Sequence, residues 1–135
     1  MENIAVVGIA NLFPGSSGPE EFWQQLLKKQ DCRSKATSEQ MGVDPAKYKG
    51  KKGDTDKFYC VHGGYIRDFH FDTSPFTQKE NGLTADYLNQ LDELNQWALY
   101  VTQQALTDAG YWGSEQLQKC GVILGNLSFP TKSSN

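Results

Sequence analysis

Cys32, Cys60, Cys120, His62 and His70 have the widest chemical reach in this 135-residue chain. A thiolate can attack an acyl carbon, and a nearby imidazole can activate the thiol. The spacing assembles no such site. No Cys-x-x-Cys occurs, so neither a thiolate zinc site nor a disulfide framework is expected. Free thiols in a reducing compartment are the simpler reading. His62 and His70 sit in a turn-rich stretch without the i, i+4 spacing of a helical zinc pair, so no metal site is expected. No catalytic residue is assigned.

Phosphate binding is the second chemistry to weigh. The opening "IAVVGIANLFPGSSGPEEFWQQLL", residues 4 to 27, is an apolar run, a Pro/Gly/Ser turn and a helix start. A dinucleotide fingerprint needs G-x-G-x-x-G, and a P-loop needs a lysine after its last glycine. Here the glycines are Gly8, Gly15 and Gly18, and no lysine follows. Pro14 and Pro19 also lack the N–H groups that would hold a phosphate. Nucleotide binding is not expected. The remaining charged motif is "AKYKGKKGDTDK" (46 to 57), whose default reading is a solvated basic turn.

The elements that frame these residues follow from periodicity. Ile4 to Ile9 is apolar almost without alternation, as in a strand buried on both faces of a parallel sheet. Gly8 permits close approach of a neighbour. Pro19 at a first helical position, Glu20 and Glu21 behind it and Lys28 and Lys29 at the far end predict a helix over 19–29. Its stripe of Phe22, Trp23, Leu26 and Leu27 is expected to pack on the first strand. Residues 31 to about 88 form an irregular, insert-like region without sustained period. Within it "GGYIRDFHFD" (63 to 72) alternates briefly, as a short strand or an extended loop. Its aromatics, including Phe58, Tyr65, Phe69, Phe71 and Phe76, argue for packing rather than disorder. From Leu91 the helical period returns through Leu94, Trp97, Ala98, Val101, Ala105 and Ala109, and Gly110 ends it. "CGVILG" (120 to 125) reads as a second buried strand, and 126–135 as a tail.

Net charge is −3, from 13 basic and 16 acidic residues, which excludes a strongly basic nucleic-acid binder and predicts no membrane attraction. No apolar run approaches a membrane span, and Met-Glu-Asn opens no signal peptide. A cytoplasmic protein is expected. Two buried strands and two good helices are too few for a covered parallel sheet. The chain is therefore expected to be the front of a larger α/β domain, with a small independent α+β domain as the other reading.

Four motifs, in order, resemble the start of a β-ketoacyl synthase domain of the thiolase superfamily. They are Ile4 to Gly8 with Phe13-Pro14 and the "FWQQL" helix; "GGYIRDFHFDTSPF"; "QWALYVTQQALTDAG" (96 to 110); and "GVILG". The segments "DCRSKAT", "FYCVHGGYI" and "GNLSFPT" look most like the ketosynthases of bacterial polyunsaturated fatty acid synthases, related to those of type I polyketide synthases. One departure is "LDELNQ" (91 to 96) where modular ketosynthases carry "MDPQQR".

The resemblance implies an α/β fold layered α-β-α-β-α, incomplete in residues 1–135. It implies decarboxylative Claisen condensation of acyl and malonyl thioesters, with substrates on the phosphopantetheine of an acyl carrier protein and no cofactor in this chain. The family's nucleophilic cysteine, in a "T-A-C-S-S" turn, and its two histidines are expected beyond Asn135, leaving this part inactive alone. Asn126, Ser128 and Phe129 become candidates for the acyl pocket or dimer interface. Lys47, Lys49, Lys51 and Lys52 become candidate contacts for the carrier protein. Expected partners are the rest of the same domain, the carrier protein, and a second copy or a chain-length factor; no nucleic acid or membrane is expected. Two alternatives stay open: a non-catalytic chain-length-factor or scaffold protein, and an unrelated small binding module.

Overall fold

The computed structural model describes residues 3–77 and 82–126. The chain divides into two compact units, one from Met1–Asn11 with Phe69–Asn135, the other Leu12–Asp68. In chain order the elements are α1 (Pro19–Leu27), β1 (Ser34–Lys35), α2 (Ser38–Met41), α3 (Pro45–Tyr48), β2 (His62–Gly63), α4 (Ala85–Gln90), α5 (Glu93–Asp108) and a 3₁₀ turn (Glu115–Lys119).

The first unit is built on aromatic burial. Phe71, Phe76 and Leu88 form its core, with Phe69, Leu91, Leu99, Tyr100 and Trp112 packed around them. Phe76 meets Trp112 edge-on at 5.5 Å between centroids, and Phe69 meets Tyr100 at 5.1 Å. These are the tilted arrangements that the ring quadrupole favours. The aromatics at 69, 71 and 76 therefore pack as expected. Leu88, on α4, is only 1% exposed. The Thr84 hydroxyl accepts the Tyr87 N–H and starts α4. Gln96 reaches back from α5 to donate to the Leu88 carbonyl at 3.1 Å.

The 16-residue α5 lies within the predicted helical stretch. Gly110 takes φ +73° just past its cap. Gly110 N–H donates to the Thr107 carbonyl and Tyr111 N–H to that of Leu106, a Schellman closure of the last turn. The small residues expected to admit a neighbour do so. A β-carbon placed on Gly8 would overlap the Ala105 carbonyl oxygen and lie 2.8 Å from the Ala109 β-carbon. The Ile9 N–H donates to the Asp108 carboxylate at 2.9 Å, fixing this segment to the end of α5.

Two strand expectations are corrected. Residues 3–12 and 120–126 lie outside any ladder. Ile4 is 97% and Ile123 98% exposed, with Val6, Val7, Ile9, Val122 and Leu124 also open. An apolar run becomes a strand only when another strand pairs with its backbone groups, and no described strand pairs with either run.

The second unit relies on turns and caps. Helix α1 ends at Leu27, two residues short of the predicted limit, where Lys28 caps it and Lys29 turns to φ +51°. Ser17 N–H and hydroxyl both donate to the Glu21 carboxylate, at 2.8 and 3.0 Å, which holds Glu21 below its ordinary pKa. The Phe13 and Phe22 rings meet at a tilt of 58°, 4.8 Å between centroids. The rest of the α1 stripe is not buried: Trp23, Leu26 and Leu27 each stay more than half exposed. The region expected to be irregular holds local order. Thr37 and Gln40 form a reciprocal capping box on α2. Strands β1 and β2 pair antiparallel, Ser34 opposite Gly63 and Lys35 opposite His62. Ala36 N–H continues the pairing to the Val61 carbonyl at 2.7 Å, and both residues are buried. Only the first residue of "GGYIRDFHFD" joins this ladder, so the motif is chiefly extended loop.

Candidate functional site

The lysine-rich segment folds as a closed loop. Asp44 starts it by accepting the Ala46 N–H at 3.0 Å, ahead of Pro45 at the first position of α3. The loop neck is a parallel bridge between Lys49 and Phe58. There Phe58 N–H donates to the Tyr48 carbonyl and Gly50 N–H to the Phe58 carbonyl, each at 3.0 Å. Across the tip, Lys51 N–H donates to the Asp54 carboxylate at 2.7 Å and Asp54 N–H to the Lys51 carbonyl at 3.1 Å. Gly50 is required here, because a β-carbon would stand 2.7 Å from both Asp54 Oδ2 and Lys57 Cβ. Gly53 takes φ +98° at the tip.

Lys57 crosses the neck. Its Nζ donates to the Lys47 carbonyl at 2.8 Å and lies 5.3 Å from the centre of the Tyr48 ring. Lys47, Lys49, Lys51 and Lys52 are all exposed. None of them forms an ion pair among the described residues, where the ion pair is Arg33 with Asp31 at 2.7 Å. The loop therefore presents four cations from an ordered backbone. Sequence reasoning missed Lys57 and Tyr48, although both lie in "AKYKGKKGDTDK". The available signal was a pair of glycines between an aromatic residue and a lysine.

The remaining sequence candidates are scattered. Asn126 is exposed, while Ser128 and Phe129 lie outside the described residues. Cys32 is half-buried in a cleft of about 360 Å³, lined chiefly by Phe13, Pro14, Phe22, Leu26 and Arg33. Arg33 is held by Asp31, whose carboxyl is lowered to about 2, first by the side-chain hydrogen bonds from Arg33 and then by its backbone N–H. Cys60 and Cys120 are exposed, their thiols turned to the carbonyls of His62 and Gln116 at 3.5 and 3.6 Å. No hydrogen bond joins a thiol to an imidazole among the described residues. A nucleophile–base pair is thus not assembled among the described residues, whereas four exposed lysines share one ordered loop.

Comparison with known proteins places this architecture. Residues 1–134 match the family described as "Beta-ketoacyl synthase, N-terminal domain". One component of the polyunsaturated fatty acid synthase of Thraustochytrium sp. is 29% identical over 123 residues, 90% of this chain and 4% of its own length. The polyketide synthase PksM of Bacillus subtilis is 28% identical over 134 residues, 96% of this chain and 3% of its own length. The solved structure of a "PfaC Keto synthase-Chain length factor" superposes with TM-score 0.88 and 74% identity, over 98% of this chain and 14% of that one. The chain therefore spans a small fraction of each relative. With nearly its whole length matched, and with the thiolase-like ketosynthase fold of that structure, the chain belongs to the β-ketoacyl synthase family as its N-terminal domain.

Proposed function

We propose that this chain is the front of a β-ketoacyl–acyl carrier protein synthase that condenses acyl and malonyl thioesters with loss of carbon dioxide, in polyunsaturated fatty acid or polyketide assembly. The observation that carries this reading is the match over residues 1–134, joined to 74% identity with a ketosynthase–chain length factor structure. The described residues supply framework and a docking surface. The acyl group is taken by a thiolate in a later segment, with substrates delivered on carrier-protein phosphopantetheine. Asn126, Ser128 and Phe129 are proposed to border the acyl pocket or the dimer interface. Lys47, Lys49, Lys51 and Lys52 are proposed to meet the carrier.

A second reading is a chain-length factor, which shares the fold and acts by packing. Similarity to a protein that joins a ketosynthase with a chain length factor favours keeping it, and so does "LDELNQ" where modular ketosynthases carry "MDPQQR". The test is condensation by the full-length chain, supplied with acyl- and malonyl-loaded carrier. β-Ketoacyl product with release of carbon dioxide supports the synthase. No product alone, with product restored by adding a separate ketosynthase, supports the chain-length factor.

A further inference from the structure

We propose that Lys57 is the positioning residue of the cationic docking loop, a latch that keeps Lys47, Lys49, Lys51 and Lys52 arrayed for an acidic protein surface. The inference rests on the carrier-docking reading above and adds a residue and a division of labour to it. Lys57 is the one of the five lysines between Ala46 and Phe58 whose ammonium ties the loop to itself. It donates to the Lys47 carbonyl at 2.8 Å, and the Tyr48 ring lies beneath it at 5.3 Å. Those two contacts join the two sides of the neck, beside the backbone pair of Phe58 with Tyr48 and Gly50. Gly50 lets them close, since any side chain there would strike the Lys57 stem.

The other four ammonium groups make no ion pair among the described residues. Of the three acids nearest in sequence, Asp44 caps α3 and Asp54 accepts the Lys51 N–H, while Asp56 forms no ion pair with the lysines among the described residues. Leu12–Asp68 carries ten basic and eight acidic residues, whereas the rest of the chain carries three and eight. Positive charge is thus concentrated in this unit, and half of its basic residues lie in the loop. An acidic partner is steered to such a patch, and a loop ordered beforehand loses less freedom on docking.

The test measures association of the full-length chain with the carrier protein of the same synthase at low salt, by stopped flow. Lys57→Met removes the latch and one charge; Lys52→Met removes one charge only. Lys57→Met is expected to slow association about tenfold and Lys52→Met about twofold, with Lys57→Arg close to the parent. Amide exchange at Gly50 and Phe58 is expected to quicken in Lys57→Met and not in Lys52→Met, with an unchanged melting temperature. If Lys57→Met fails to fold, Tyr48→Leu, which alters no charge, is read by the same exchange and is expected to loosen the neck. Equal rates for Lys57→Met and Lys52→Met with unchanged exchange would overturn the latch. Salt-independent association of the parent, or capture by anionic vesicles but not by carrier, would overturn the docking loop itself. Either result leaves the condensation assay to decide the synthase reading separately.

Discussion

The two units of this chain are stabilised in different ways. Met1–Asn11 with Phe69–Asn135 encloses aromatic rings around Leu88 and carries the long helix α5. In Leu12–Asp68 the buried residues are Ser16, Ala36, Pro45 and Val61, and order comes from capped single turns, a two-residue ladder and a closed loop. The first devotes its sequence to a core. The second devotes it to a charged surface held in shape by local hydrogen bonds. Substitutions should therefore act globally in the first unit and locally in the second.

The largest expected effect is Leu88→Ala, which opens the aromatic core and should cost about 2–5 kcal/mol, read as a lower melting temperature of the full-length chain. Gly8→Val comes next. Its side chain would strike the Ala105 carbonyl and Ala109, and displacement should cost about 1–3 kcal/mol in the same assay. In the second unit, Thr37→Ala removes one half of the α2 capping box. It should cost about 1 kcal/mol, visible as faster exchange near Gln40 while exchange around Leu88 is unchanged. A uniform loss across both units would contradict the division.

The smallest effect concerns Asp31. Its folded pKa is lowered to about 2, so its contribution is present above the ordinary carboxylate value and is lost as pH falls through about 2. The pair is largely exposed to solvent, and Arg33→Ala should raise the Asp31 titration midpoint by NMR toward the ordinary range but not fully to it, because the backbone N–H at position 33 still donates to the carboxylate. The same variant should lower the melting temperature at neutral pH only slightly, because an exposed ion pair contributes little. A marked loss of stability would show the pair to be structural.

The first unit was more legible in the sequence than the second, for physical reasons. Helix α5 repeats its apolar residues through four turns and closes on Gly110, so period and stop signal agree. Gly8 and the alanines of α5 announced a close approach by size alone. The runs at 4–9 and 121–125 have the composition of strands without being strands, because hydrophobicity reports what a segment avoids, while a ladder depends on a partner. In the second unit Thr37-Ser-Glu-Gln40 is a readable capping box, and Asp44-Pro45 a readable helix start. The β1–β2 pairing joins residues far apart in the chain and had no local signal. The four candidate lysines could be named from composition. That Lys57 braces the loop depended on its closure, which only the fold displays.

Acyl transfer, on this reading, takes place away from the described thiols. The most direct measurement is to incubate the full-length chain with labelled acyl-carrier protein and map the acyl group by peptide mass spectrometry. Label on a cysteine beyond Asn135 is the expected result. Label on Cys32, Cys60 or Cys120 would contradict it.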